Sequence, residues 1–244
     1  MTKATIGFAM CGSFCTFSKA FTQMQRLVDS GYDVIPIMSQ NAFSTSTRFG
    51  KAEETVKRAE EITGKAVLHS VVQTEPIGPK KMCDLLVIAP CTGNTLAKLS
   101  LGITDTAVTM AAKSHLRILR PVLLCVATND ALGASAQNIG RLLNTKNIYF
   151  VPLKQDDCIK KPNSLVADFD KLEDCVTLAL QGKQHQPIFY NRTTAVLKCN
   201  FSKRLLFNVW IVCATGQIIK ACAVAVGKLN KQGEGNFSFA PFIF

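Results

Sequence analysis

The stretch Leu85-Leu-Val-Ile-Ala-Pro-Cys-Thr-Gly-Asn-Thr-Leu-Ala-Lys98, continuing to Gly102-Ile-Thr-Asp105, decides the fold. Its first five residues are apolar and uncharged, the pattern of a strand buried on both faces. The run stops at Pro90 and gives way to small, hydroxylated and amide residues that open a helix. Such a strand-to-helix turn is built to hold a ligand. Thr92, Asn94 and Thr95 supply uncharged donors and acceptors, Gly93 lets a backbone approach closely, and the helix N-terminus adds unpaired N–H groups. A planar, polar-edged ring or a phosphate suits that set.

Outward from this turn the chain alternates strand and helix patterns. Residues 5–10 read as an apolar strand, 11–16 as its exit turn, and 17–29 as a helix with Phe17, Phe21, Met24, Leu27 and Val28 on one face. A second strand over 32–38 leads into a Ser/Thr-rich loop over 39–49. Residues 50–63 read as a charged surface helix closed by Gly64, with Glu53/Lys57 and Glu54/Arg58 at i,i+4 spacing. Residues 66–68 are strand-like, and Pro76, Gly78 and Pro79 mark 73–81 as a loop. After a helix over 94–101, another is expected over 105–119 with Asp105 as its N-cap. A fourth long strand over 121–127, a helix over 131–143, a short fifth strand over 148–151, a polar loop over 154–164 and a last helix over 165–180 complete the body. This alternation gives an α/β fold with a parallel sheet covered on both faces, in which ligands bind beyond the carboxyl ends of the strands.

The chain of 244 residues is 48% hydrophobic and 18% charged, the balance of a globular protein with a sizeable core. It enters a strand within a few residues of Met1 without the basic, apolar and small-residue progression of a secretory signal, so a cytoplasmic setting is expected. Ten scattered cysteines, mostly in apolar patterns, fit free thiols in a reducing compartment. No C-x-x-C pair is present and His69, His115 and His185 are isolated, which argues against a metal site. Of the net charge of +11, six units lie from Asn191 onward. The body has no Lys/Arg stripe interleaved with aromatics and no helix-turn-helix or RNA-binding motif, which argues against nucleic acid as a partner.

Four expected strand ends meet at the ligand side: Cys11-Gly-Ser-Phe-Cys15, Ser39-Gln-Asn41, Pro90 to Thr95, and Thr128-Asn-Asp130. The first has one glycine where a dinucleotide fingerprint needs G-x-G-x-x-G, and the second has Ser39 in place of the acid that holds a ribose in NAD. A mononucleotide is therefore favoured over NAD. Gly12 and Ser13 can cradle one phosphate, the alternative being an ordinary tight turn with Ser13 as N-cap.

Gly12-Ser13, Ser39, Pro90-Cys-Thr-Gly-Asn-Thr95 with Gly102-x-x-Asp105, and Arg120-Pro-Val-Leu-Leu-Cys-Val126 leading to Thr128-Asn129 together resemble the flavoprotein family of FMN-binding cysteine decarboxylases and prenyl-FMN synthases. Thr45-Ser-Thr-Arg-Phe-Gly50, Glu75-Pro-Ile-Gly-Pro-Lys80, Thr128-Asn-Asp-Ala-Leu-Gly133 and Gln155-Asp-Asp-Cys-Ile-Lys-Lys-Pro-Asn-Ser164 resemble its dipicolinate-forming branch, over about residues 3–189. The resemblance implies a Rossmann-like three-layer sandwich with a mostly parallel sheet and FMN as cofactor. It further implies oxidation of dihydrodipicolinate to dipicolinate (pyridine-2,6-dicarboxylate) together with a companion, the A subunit of dipicolinate synthase, that carries NADP. The setting it implies is a homo-oligomer in the mother-cell cytoplasm of a spore-forming bacterium.

Carried over by motif, Gly12, Ser13 and Phe14 face the flavin phosphate and Ser39 adds a hydroxyl to it. Cys91, Thr92, Gly93, Asn94 and Thr95 line the ring and ribitol, Thr128 lies near the reacting centre, and Asn129 is a catalytic candidate. The decarboxylase branch uses a histidine ahead of the third long strand, where this chain reads Glu75-Pro-Ile-Gly-Pro; His69 stands earlier, in the strand-like run, and reads as structural.

A substrate with two carboxylates needs cations and N–H donors more than strong acids or bases, because aromatisation itself drives proton loss. Arg48 is the candidate catalytic and substrate-binding residue, since a guanidinium grips a carboxylate bidentately; a surface cation at a helix start is the plainer reading. Lys160, Lys161, Asn163 and Ser164 form a second candidate clamp. A flavin-dependent decarboxylase or flavin prenyltransferase, and a noncatalytic protein that scaffolds or activates the companion, stand as alternatives. Residues 1–190 are expected to form the flavoprotein-like α/β domain, and 191–244 a basic and apolar extension, disordered or nonnative. Its uncharged run over 205–219 is shorter than the roughly 20 apolar residues of a membrane span, so a membrane is not expected. Trp210 and three N-x-[ST] sequons also fall in this extension.

Overall fold

Every residue of β3 (Leu85–Cys91) is buried. This strand is the centre of a seven-stranded sheet in a computed structural model of the protein, which describes residues 3–189, 207–212 and 218–223. β1 (Thr5–Met10) lies between β2 (Asp33–Met38) and β3, and β4 (Val122–Thr128) pairs with β3 on its other side; all four run parallel. β5 (Ile148–Phe150) pairs parallel with the first half of β4.

Helices cover both faces, as the alternating pattern requires. α1 (Phe17–Asp29) buries Phe17, Ala20, Phe21, Met24 and Leu27, one stripe at helical spacing. It packs on the sheet beside α8 (Leu172–Leu180), with α3 (Ala52–Thr63) against it and the short α2 (Gln40–Ser44) against α3. α6 (Ala107–Leu116) packs on β2, β3 and β4, and α4 (Val71–Thr74) packs against α6. α5 (Gly93–Leu101) lies between α6 and α7 (Ala136–Leu143). The result is a Rossmann-like three-layer sandwich. Gly64 and Gly102 end α3 and α5 in the left-handed conformation, φ 67° and 72°, which glycine adopts without a Cβ clash.

The largest departure from expectation is an antiparallel hairpin, β6 (Leu153–Asp157) and β7 (Lys161–Ala167), where a polar loop and the start of a helix were expected. β7 pairs with the end of β4, Ala127 with Val166 and Thr128 with Leu165, beyond the point where β5 stops. The Asp157 carboxylate holds the hairpin tip by accepting the Ile159 and Lys160 amides. α8 therefore starts only at Leu172, after a 3-10 turn over Phe169–Lys171.

Smaller differences have local causes. Ser39 accepts the Ala42 N–H and so starts α2 inside the expected loop. α4 and a 3-10 turn over Glu75–Ile77 occupy the stretch expected to be a plain loop. Residues 66–68 contribute a single bridge, Leu68 to Ile37, in place of a strand. Thr106 caps α6 in a reciprocal pair with Thr109, while Asp105, the expected cap, binds the Lys98 ammonium at 2.8 Å. In α3, Lys57 pairs with Glu61 and Arg58 lies over the Phe21 ring.

The chain divides into two units, Met1–Tyr190 and Asn191–Phe244. In the second, β8 (Phe207–Val212) and β9 (Ile218–Ala223) pair antiparallel. The sequons, the Trp210 side chain and, apart from these two strands, the expectation of disorder lie outside the described residues. Among the described residues no helix is long and apolar enough to cross a membrane.

Candidate functional site

The carboxyl ends of β1, β2 and β3 are joined by short bonds. The Cys11 amide donates to the Pro90 carbonyl (3.2 Å) and the Ser39 amide to the Met10 carbonyl (3.0 Å). Thr92 caps α5, its hydroxyl accepting the Thr95 N–H (3.4 Å). The Thr95 hydroxyl reaches the Cys11 sulfur at 3.2 Å. The turn after β1 and the turn after β3 are thus joined directly.

In the turn after β1, the Ser13 amide is already engaged by the Cys11 carbonyl at 2.7 Å. The Thr16 amide and hydroxyl return to the Ser13 carbonyl, and the same hydroxyl donates to Ser13 Oγ at 3.2 Å. The donors left for a ligand are the Ser13 hydroxyl proton and the amides of Gly12 and Phe14, which meet no backbone carbonyl among the described residues. A Cβ on Gly12 would make only ordinary contacts, 3.5 Å from the Asn41 Cβ and the Phe14 ring, so the protein's own packing does not demand glycine there. Ser39 accepts the Ala42 amide and keeps its hydroxyl proton free.

Gly93 plays a different part from the one its sequence context suggests. A Cβ there would lie 2.7 Å from both Ser135 Oγ and Thr128 Oγ1 and 2.8 Å from Asp130 Oδ1. Those three atoms are bonded to one another: Asp130 accepts the Thr128 hydroxyl at 2.5 Å and the Ser135 hydroxyl at 3.0 Å. The missing side chain makes room for this cluster. Asp130 and Ser135 were not singled out by sequence reasoning; the available signal was a Thr-x-Asp at a strand end followed by a serine before a helix.

The remaining candidates divide. Cys91 is fully buried, so its side chain belongs to the core and only its backbone reaches the strand end. Burial pushes the Cys11 thiol up to about 11, against the lowering effect of the Thr95 hydroxyl, and holds Cys91 well above the ordinary thiol range. Both are neutral thiols, not nucleophiles, at neutral pH. Asn94 and Asn129 are exposed at the exits of β3 and β4.

Asn163 and Ser164 are brought to the exit of β4 by the hairpin. The Asn163 carbonyl accepts the Leu132 amide at 3.0 Å, and the buried Ser164 hydroxyl points to the Thr128 carbonyl at 3.4 Å. Lys161 is paired with Asp156 at 2.9 Å, a bond that raises its pKa, and Lys160 is exposed. Arg48 is exposed as well, its guanidinium over the Phe49 ring at 4.9 Å. His69 is not inside a strand: it stacks on Phe43 of α2 at 3.8 Å and 11°, beside the end of β2. Among the described residues no group of three or more His, Cys, Asp or Glu could hold a metal ion.

Comparison with known proteins places this geometry. The Flavoprotein family model matches residues 1–180. The chain is 49% identical over 183 residues to the B subunit of dipicolinate synthase from Bacillus subtilis (strain 168), a match covering 75% of this chain and 92% of that protein. The crystal structure of the dipicolinate synthase B subunit from Bacillus halodurans C superposes with a TM-score of 0.72 at 42% identity, covering 78% of this chain and 97% of that one. The FMN-dependent cysteine decarboxylase SpaF superposes with a TM-score of 0.57 at 20% identity, covering 74% and 98%, a likeness of fold.

Proposed function

The chain belongs to the flavoprotein family, and from that premise we propose that it is the B subunit of a dipicolinate synthase that binds FMN at the carboxyl ends of β1 to β4. The observation that carries the reading is the 49% identity to the Bacillus subtilis B subunit over nearly the whole of that protein. The reaction is oxidation of dihydrodipicolinate to dipicolinate, carried out with the companion A subunit. In this reading residues 1–190 are the working domain and 191–244 an appendage, and the protein acts as a homo-oligomer in the cytoplasm of a spore-forming bacterium.

The donor set fits FMN. The turn after β1 offers amide and hydroxyl donors of the kind that hold a phosphate. The turn after β3 offers uncharged hydroxyls and an amide suited to a polar-edged ring. FMN, when bound, supplies a two-electron acceptor; NADP on the companion is the other acceptor available to the complex. The Gly12 and Phe14 amides with the Ser13 and Ser39 hydroxyls would hold the phosphate, and Thr92 and Asn94 would orient the ring, with buried Thr95 fixing the turn through its bond to Cys11. Asn129, exposed beside Thr128, would hydrogen-bond the reacting ring. Asn163, exposed at the same exit, binds one substrate carboxylate, while Ser164, whose proton goes to the Thr128 carbonyl, holds the hairpin there. Proton loss needs no strong base, because it completes an aromatic ring.

The exposure of Arg48 and the engagement of Lys161 by Asp156 favour a carboxylate clamp completed by the companion rather than assembled in this chain alone. An absorbance spectrum of the purified protein, by itself and with the companion, tests the proposal. Flavin bands with dipicolinate formation are expected. A colourless protein that still activates the companion would make it a scaffold.

A further inference from the structure

We propose that Asp130 is the positioning residue of this site: its carboxylate clasps the exit of β4 to Ser135 at the start of α7, packed against the first residue of α5, and fixes the Thr128 hydroxyl as a hydrogen-bond acceptor toward the ligand. The ligand half of this inference rests on the flavin reading above; the clasp does not.

The chemistry follows from counting protons. A threonine hydroxyl has one proton, and that of Thr128 goes to Asp130 Oδ1 at 2.5 Å. Toward a ligand, Thr128 therefore presents lone pairs and selects an N–H or O–H edge. Ser135, 2% exposed, gives its proton to the same carboxylate, 3.0 Å from each oxygen. The three oxygens crowd the position where a Cβ of residue 93 would stand, so the first residue of α5 approaches β4 only as glycine.

The charge also matters. A carboxylate against the first turn of a helix is favoured by the helix dipole, and it partly neutralises the positive end that would otherwise attract an anion. Asp130 thus turns the α5 end into a place for an uncharged ring edge. An anionic phosphate is left to the turn after β1, where no carboxylate stands among Cys11 to Thr16. Orientation of a two-ended ligand, phosphate at one turn and ring at the other, is set by one side chain that need not touch it.

The test uses the full-length protein and its Asp130→Asn, Asp130→Ala, Gly93→Ala and Gly93→Ala/Asp130→Ala variants. FMN affinity, the absorbance maximum of bound FMN, and thermal melting without FMN are measured for each. Asp130→Ala should weaken FMN by about tenfold or more and shift the bound-flavin spectrum, because Thr128 is released to rotate. Asp130→Asn should fall between wild type and Asp130→Ala, about threefold to tenfold weaker than wild type, since its amide oxygen still accepts from Thr128 but the charge beside α5 is gone. Gly93→Ala should lower the melting midpoint, and the double variant should lose less than the sum of the singles, because the carboxylate that meets the new methyl is gone. Wild-type affinity in Asp130→Ala together with additive melting shifts would overturn the proposal. Non-additive melting in a wild-type protein that takes up no flavin would retain the clasp and remove the flavin reading. Flavin uptake with additive shifts would do the reverse.

Discussion

The Thr95 hydroxyl donates to the Cys11 sulfur across 3.2 Å, tying the first turn of α5 to the end of β1. Because burial keeps Cys11 protonated, with its pKa raised to about 11, the bond joins two neutral groups and contributes about 0.5–1.5 kcal/mol. Its larger effect is on registry between the turn after β1 and the turn after β3. Thr95→Val should cost about 1–2 kcal/mol in urea unfolding and loosen FMN several-fold, and Thr95→Ser should restore most of both. Full FMN affinity in the valine variant would show that the two turns hold their places independently.

Gly12 supplies a sharper test of the phosphate turn. Since a Cβ there meets only ordinary contacts, Gly12→Ala should keep a cooperative melting transition. The same side chain stands where backbone amides must approach an anion, so FMN retention should fall sharply. Equilibrium dialysis against FMN reads the outcome, and unchanged affinity in the folded variant would move the phosphate elsewhere.

The contrast between these positions shows which parts of the molecule are legible in the amino-acid sequence. The central strands are, because β3 and the first six residues of β4 are buried and carry no charge, a pattern that survives without knowledge of neighbours. The hairpin β6–β7 is not: Lys154 to Asn163 is polar, and what makes it a strand pair is docking against the far end of β4. Gly93 was recognisable as a close-approach position, but what approaches it comes from β4 and the loop before α7, which no local pattern records.

The segment Glu75-Pro-Ile-Gly-Pro is a similar case. Its glycine serves packing: the Gly78 amide donates to Ser114 Oγ at 2.8 Å, and a Cβ would lie 1.9 Å from the Ser114 carbonyl oxygen. His69 reads as structural in the sequence, and only the Leu68 to Ile37 bridge reveals that it stands beside the carboxyl end of β2.

Arg48 now calls for a smaller effect than a buried ion pair would give. Its guanidinium is exposed, so a carboxylate bound there is screened by water and salt. Arg48→Ala should raise KM for dihydrodipicolinate with little change in kcat, by about 1 kcal/mol or less if the clamp stays open to solvent. If the companion closes over it, the loss rises to about 2–5 kcal/mol and Arg48→Lys recovers only part. Comparing the three proteins with the companion present, at low and high salt, separates the cases; FMN content should be the same in all of them.

Truncation after Tyr190 addresses the two-unit organisation. The first unit contains the whole seven-stranded sheet and its covering helices, closed by the bridge from Leu153 to Phe189. A chain ending at Tyr190 should therefore remain soluble, melt cooperatively and bind FMN as the full chain does. Loss of the cooperative transition would make residues 191–244 part of the fold or of an oligomer contact.

The buried histidine of α6 gives a pH test. His115 is fully buried, with Nδ1 3.7 Å from Cys83 Sγ and the Arg120–Asp84 ion pair nearby. Burial first, and then the Arg120 charge, depress its pKa from 6.5 to about 4, so the folded protein holds it neutral. The unfolded chain takes up a proton there once the pH drops below about 6.5, whereas the folded chain does so only near pH 4. Between those limits the unfolded state binds more protons, and stability must fall as pH falls; above about pH 6.5 this residue adds no slope. The loss attributable to His115 is up to about 3 kcal/mol. Urea unfolding of wild type and His115→Gln at about pH 7 and about pH 4.5 checks it, with the carboxylates common to both proteins acting as the internal reference. The glutamine variant should lose clearly less stability on acidification than wild type, and equal losses would mean that carboxylates alone govern the acid limb.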